Sequence, residues 1–102
     1  MRFVVSGKSM EPKFYNGDKL FVSPLFFKLR EPRAGDAVVV KDPRGGRFVL
    51  KRIGSIEGDR YFVRGDNLEW STDSREFGGV SRDAIVGKVI FRYSRKISKL
   101  IK

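Results

Sequence analysis

Glycine- and Asx-bearing turns cut this chain into runs too short for long helices, and that punctuation limits the fold more than any other property of the sequence. Asn16-Gly17-Asp18, Ala34-Gly35-Asp36, Asp42-Pro43-Arg44-Gly45-Gly46, Glu57-Gly58-Asp59 and Gly65-Asp66-Asn67 each supply glycine for a positive φ or an Asx side chain for a local hydrogen bond. Between and around them lie Phe3-Val4-Val5, Lys19 to Val22, Ala37 to Val40, Phe48 to Ile53, Tyr61 to Arg64 and Ile85 to Tyr93, all rich in β-branched and aromatic residues. This spacing predicts an all-β fold, a small, mostly antiparallel barrel or sandwich of short strands, rather than alternating β and α units. With 102 residues, 40% of them hydrophobic, the chain buries one modest core, so residues 1–102 read as a single domain.

Two segments break the strand pattern. Ser23 to Pro32 carries Leu25, Phe26, Phe27 and Leu29 between two prolines. It is either an exposed loop that touches a partner or membrane, or a cap on one end of the core. The tail from Ser94 to Lys102 places Ile97, Leu100 and Ile101 at helical spacing with Arg95, Lys96 and Lys99 on the remaining surface, which predicts a short basic helix or a frayed terminus.

Composition excludes several chemistries. The chain has no cysteine and no histidine, so disulfides, thiolate chemistry, Ser/His and Cys/His triads and the usual zinc ligands are all excluded. No cofactor and no metal are expected. A net charge of +10 invites nucleic acid or an anionic membrane as partner, but the basic residues are spread along the chain, as on an ordinary solvated face. No apolar run approaches the roughly 20 residues that span a bilayer, and Met1 to Val5 is too short for a secretory signal. The expected setting is therefore soluble and cytoplasmic.

One nucleophile and base pair survives these exclusions. Ser9, in Ser9-Met10-Glu11-Pro12, supplies a hydroxyl, and Lys51, in Lys51-Arg52, supplies an amine that acts as a base once it is neutral. An exposed lysine, with pKa about 10.4, is protonated at neutral pH; burial disfavours the ammonium and makes a lysine a competent base. Strand alternation puts Lys51 on one face with Val49 and Ile53, while Phe48, Leu50 and Arg52 point the other way. Taken alone, the same pattern describes a lysine that snorkels to solvent.

The segment from Gly65 to Val80, reading GDNLEWSTDSREFGGV, changes that balance. With Ser9 and Lys51 it resembles the bacterial type I signal peptidases, in which a nucleophile in S-M-x-P, a K-R strand and a block G-D-N-x-x-x-S-x-D-S-R-x-F-G-x-V occur in this order. Gly35-Asp36 and the hydrophobic strand after it are similar to the family's as well. The resemblance covers about Val5 to Tyr93, and three blocks together are specific where each alone is weak.

The resemblance implies a signal-peptidase catalytic core with Ser9 as acyl-forming nucleophile and Lys51 as general base and later general acid. It implies that the Ser71 hydroxyl orients the lysine amine. Asp73, Ser74 and Arg75 correspond to a cluster that braces the closing loop, with Asp66 and Asn67 beside it and Arg52 as partner for one of its carboxylates. The Ser9 N–H is expected to meet the oxyanion, Gly7 to let the chain approach substrate, and Met10 to contact substrate. Some members place a second oxyanion donor, a serine hydroxyl, two residues before the nucleophile; here that position is Gly7, with Ser6 adjacent.

Other departures bear on substrate. Lys8 and Lys13 stand on either side of the nucleophile motif, where positive charge helps keep Lys51 neutral and favours acidic substrates. The sequence carries no spanning helix before Ser9 and no large insertion after Lys51, so it reads as a minimal catalytic domain. That layout is similar to the small soluble branch that includes the nickel-type superoxide dismutase maturation proteases. The expected substrate is a protein with an N-terminal leader or prosegment. The alternative is a peripheral signal peptidase that meets anionic membrane weakly through the basic tail and the Phe26/Phe27 loop. The self-cleaving repressors share the dyad but need a DNA-binding domain before it. A nucleic-acid-binding β-barrel with stacked aromatics is the non-enzymatic reading, and it leaves the co-occurrence of Ser9, Lys51 and Ser71 unexplained.

Overall fold

A computed structural model of the protein describes residues 1–67 and 79–94. Among the described residues seven strands form one sheet: β1 (Arg2–Val4), β2 (Lys19–Ser23), β3 (Ala37–Lys41), β4 (Phe48–Glu57), β5 (Arg60–Arg64), β6 (Val80–Ser81) and β7 (Ile85–Ser94). Their order is β1-β2-β7-β3-β4-β5-β6, and every pairing is antiparallel. The all-β antiparallel expectation holds, but the sheet is not hydrogen-bonded into a closed barrel. The two ten-residue strands do the work of curvature instead. β7 pairs with β3 through Ile85 to Lys88 and with β2 through Lys88 to Ser94, and β4 pairs first with β3 and then with β5. Register shifts interrupt each of these ladders except β3–β4, and such irregularities bend and twist the strand that carries them.

The core follows from alternation on β3. Val38, Val39 and Val40 are all buried: Val39 joins Val5, Met10, Phe14, Leu20, Val22, Leu50 and Val89, whereas Val38 and Val40 join Phe27, Ile53, Tyr61, Val63, Val80 and Ile85. Successive side chains of a strand point to opposite faces, so β3 is covered on both. That is why it reads as an unbroken apolar run.

The Ser23 to Pro32 excursion divides between its two expected roles. Phe27 is buried in the second cluster and sits edge-on to the half-buried Phe26, with ring centroids 5.6 Å apart. Arg30 lies 4.9 Å and Lys88 5.2 Å from the Phe26 ring centre, so two cations flank the ring. Leu25 and Leu29, 64% and 82% exposed, are the apolar side chains this turn presents. Phe27 therefore caps the core, with Phe26 packed half-buried against it. The expected C-terminal helix falls at residues 95–102, outside the described residues.

The Arg30–Asp36 and Arg52–Asp66 ion pairs brace loops beside the sheet. Arg30 grips Asp36 with both terminal nitrogens at 3.0 and 2.9 Å, ahead of β3. Arg52 on β4 grips Asp66 with Nε and one terminal nitrogen, each at 2.8 Å, just after β5. Those hydrogen bonds, opposed by partial burial, hold the Asp66 carboxyl below the usual carboxylate range. A carboxyl with a depressed folded-state pKa adds stability that is present above about pH 4 and lost as pH falls towards the folded-state value. Asp66→Asn, which leaves a part-buried guanidinium unpaired, is expected to lower stability by about 1–3 kcal/mol at pH 7. In urea titrations the gap to wild type should narrow below about pH 4. Gly87 gives a separate check: a Cβ there would stand 2.7 Å from the Ser23 carbonyl oxygen, too close for the backbone to yield without moving. Gly87→Ala is expected to destabilise by about 1–3 kcal/mol in the same titration.

Candidate active site

Ser9 sits in the loop between β1 and β2, and backbone hydrogen bonds close that loop at its neck. The Val5 N–H donates to the Asp18 carbonyl at 2.9 Å and the Gly17 N–H to the Val5 carbonyl at 2.8 Å. Inside the loop, Glu11 N–H reaches the Lys8 carbonyl at 3.2 Å and Phe14 N–H the Met10 carbonyl at 2.9 Å, winding the serine segment into successive turns. The Glu11–Pro12 peptide is cis. Met10, 1% exposed, and Phe14 pack into the first core cluster and anchor the turn from beneath. Met10 thus meets the site as part of its wall, from within the core.

Gly7 bends the serine loop. Its φ is +87°, a conformation that side chains disfavour, while the space where a Cβ would project is open. The positive φ by itself favours glycine at this bend. Its N–H donates to the Asn16 side-chain oxygen at 2.9 Å, which commits that donor to the loop. The Ser9 N–H, by contrast, has no hydrogen-bond acceptor among the described residues, as an oxyanion donor requires.

Lys51 stands on β4 directly opposite Val38 and is only 5% exposed. Its strand neighbours Val49 and Ile53 pack with the second cluster, as the alternation predicts, and Leu50 belongs to the first. Burial of this degree disfavours an ammonium, the condition a lysine base requires. Ser9 and Lys51 line one cavity of about 270 Å³. Phe3, Val5, Ser6, Gly7, Lys8 and Met10 complete the serine side, and Asp42, Arg44, Arg47, Phe48, Val49 and Leu50 the lysine side.

The segment after β5 ties the two sides together. Asp66 is held by Arg52, the neighbour of Lys51, and the same guanidinium donates to the Gly35 carbonyl at 2.9 Å. The next residue, Asn67, donates its backbone N–H to the Ser9 carbonyl at 2.7 Å and its side-chain amide to the Lys8 carbonyl at 3.1 Å. Base strand, closing segment and nucleophile turn are thereby connected through three consecutive polar links. Among the described residues the structure brings together Ser9, Lys51, Gly7, Met10, Arg52, Asp66 and Asn67. Ser71, Asp73, Ser74 and Arg75 lie outside the described residues.

Sequence reasoning missed three participants. Asn16, which holds Gly7, shows in the sequence only as a turn residue. Arg44 and Arg47 reach the cavity because the β3–β4 hairpin, with Lys41 opposite Phe48, ends beside Lys51. Their proximity was available from the hairpin pattern, since Phe48 is three residues before Lys51.

Comparison with known proteins agrees with this geometry. The chain matches the family described as "Signal peptidase, peptidase S26" over residues 1–60 and 54–94. It is 35% identical over 112 residues to mitochondrial ATP-independent inner membrane protease subunit 1a of Arabidopsis thaliana, covering 86% of this chain and 67% of that one. It is 31% identical over 108 residues to mitochondrial inner membrane protease subunit 1 of Mus musculus, covering 85% and 65%. Against signal peptidase IB of Staphylococcus aureus it is 59% identical over 100 residues, covering 87% and 49%. The chain thus spans about two thirds of the mitochondrial relatives' length and about half of the staphylococcal one's. With the family match running through Ser9, Lys51 and Asn67, this chain belongs to the signal peptidase family, peptidase S26.

Proposed function

We propose that the protein is a serine endopeptidase that removes an N-terminal leader or prosegment from a protein substrate through a Ser9/Lys51 dyad. The observation that carries this reading is that Ser9 and a buried lysine line one cavity, with the serine turn held by Asn67. Lys51 Nζ, neutral, takes the proton of Ser9 Oγ as the oxygen attacks the scissile carbonyl. The Ser9 N–H stabilises the tetrahedral oxyanion. The lysine ammonium then protonates the leaving amine, which departs as the new N-terminus of the mature protein. Lys51, neutral again, activates water to hydrolyse the acyl-serine. Ser71 orients the amine in this scheme.

Two substrate settings are compatible with that chemistry. Release of a prosegment from a nickel-type superoxide dismutase in the cytoplasm rests on the short spacing from Lys51 to Gly65 and the closing strand of the sequence. Cleavage of preproteins at a membrane is supported by the relatives' names, two inner membrane proteases and a signal peptidase. No helix among the described residues is long and apolar enough to cross a membrane. A peripheral contact has its best support on β1, β2 and β7, where exposed Val4, Phe21, Phe91 and Tyr93 lie among Arg2, Lys19 and Arg92. Phe21 and Phe91 stack there with ring centres 5.5 Å apart.

Incubating wild type, Ser9→Ala and Lys51→Ala with a cell lysate and mapping new N-termini by mass spectrometry tests the dyad. Both variants should lose at least about 10³-fold in rate. Equal cutting by either variant, or no cutting by wild type, defeats the reading. Wild-type activity should rise towards alkaline pH as the neutral fraction of Lys51 grows. Asn67→Ala should lower kcat about tenfold with little change in KM, because it loosens the serine turn without touching substrate.

A further inference from the structure

The cavity beside Ser9 is unequal in charge. Besides Lys51, three cations line it (Lys8, Arg44 and Arg47) against one carboxylate, Asp42. That carboxylate is engaged within its own turn, accepting the Arg44 N–H at 2.8 Å and the Arg44 guanidinium at 3.2 and 3.1 Å. Hydrogen bonds from Arg44, with the charge of Arg47 nearby, hold the Asp42 carboxyl below its ordinary range against a small opposing effect of burial. Arg47 is exposed and forms no ion pair among the described residues. Its backbone is fixed all the same: the Asp42 N–H donates to the Arg47 carbonyl at 2.8 Å and the Gly46 N–H to the Asp42 carbonyl at 2.7 Å, closing the hairpin on which it stands. Phe3, Phe48 and Val49 give the same cavity apolar wall.

We propose that this cavity is a side-chain subsite for an acidic residue of the leader, with Arg47 as its principal carboxylate-binding group. This deepens the peptidase reading above and rests on it. A guanidinium fork matches a carboxylate in two parallel hydrogen bonds, and the apolar wall accommodates the methylene stem of Asp or Glu. Lys8 and Arg44 add to the attractive field and repel a basic residue, so discrimination arises from both terms. Arg47 has a second effect on the chemistry. By neutralising the bound carboxylate it prevents a negative charge near Lys51 from favouring the ammonium form.

The test maps the new N-termini that wild type produces from a proteome-derived peptide library, with Ser9→Ala as the blank. Asp and Glu should be enriched, and Lys and Arg depleted, at one position on the leader side of the cut. A peptide with Glu at that position is then compared with its Glu→Gln and Glu→Lys versions. The Glu over Gln ratio of kcat/KM should be about three- to fivefold in wild type, the scale of a solvated charge pair, and should shrink in high salt. It should fall to about one in Arg47→Gln, and Arg47→Glu should prefer the Lys peptide. Because each ratio is taken within one enzyme preparation, loss of folded protein cancels. Ser9-dependent cutting without acidic enrichment, or a Glu over Gln ratio unchanged in Arg47→Gln, overturns the subsite and leaves the peptidase reading standing. Absence of Ser9-dependent cutting overturns both.

Discussion

The grip of Arg52 on Asp66 is the interaction on which the geometry of the site depends. Lys51 and Arg52 are adjacent on β4 and point to opposite faces, so the strand that presents the base also presents a guanidinium. Arg52 fixes Asp66 through two 2.8 Å hydrogen bonds, and chain connectivity then leaves Asn67 almost no freedom. Asn67 spends both its backbone and side-chain donors on the Lys8 and Ser9 carbonyls. Holding carbonyls rather than the hydroxyl matters: it orients the peptide planes around Ser9 while the reactive oxygen and its N–H remain open to substrate. The distance between nucleophile and base is thus set by a chain of short bonds from one strand, not by two loops packing independently.

Lys51 is a charged-type residue that this core buries against the ordinary rules. A lysine on a strand usually extends its amine to water, and a chain this small has little surplus stability to bury a cation. The register explains how the position is enforced. Lys51 faces Val38 on a strand covered on both sides, between Leu50 in one cluster and Ile53 in the other. Sliding β4 to free the amine would expel Leu50 and Ile53 together. Violations of local consistency that the rest of the fold maintains are expected at functional sites, and here the violation and the cavity coincide.

The strands were the most legible part of the sequence, because alternation and turn chemistry are local. Each expected run from Phe3 to Tyr93 appears as a strand with ends displaced by a few residues. β6 does not show in the sequence because Val80-Ser81 is too short to display a period, and β4 runs past Ile53, where its expected run ends, to Glu57. At Gly54 the β4–β5 register shifts, so the glycine marks an irregularity within the strand. Among the described residues the carboxylate that Arg52 holds is Asp66, and Asp73 lies outside them. Which of several carboxylates meets a guanidinium is a question of three-dimensional distance, and spacing along the chain carries no signal for it. The openness of the sheet was hidden for the same reason, since local periodicity says nothing about whether the first and last strands meet.

The turn before β3 explains why a Gly-Asp pair there belongs with the site. The Gly35 N–H donates to the Ile53 carbonyl at 2.8 Å, and the Ile53 N–H donates to the Asp36 carbonyl at 2.9 Å, which docks the turn on β4 two residues from Lys51. The Asp36 carboxylate takes Arg30 and the Arg33 N–H, so the turn is itself rigid, and burial, which alone would raise its pKa, is outweighed by these bonds. The Gly35 carbonyl then receives the remaining arm of Arg52 at 2.9 Å. Arg52 is therefore held from one side by a backbone oxygen and from the other by Asp66. A guanidinium with both ends committed cannot swing away when substrate enters, and neither can the strand bearing Lys51. Pre-organisation of this kind places its cost in folding, so that the base need not be ordered anew at each turnover.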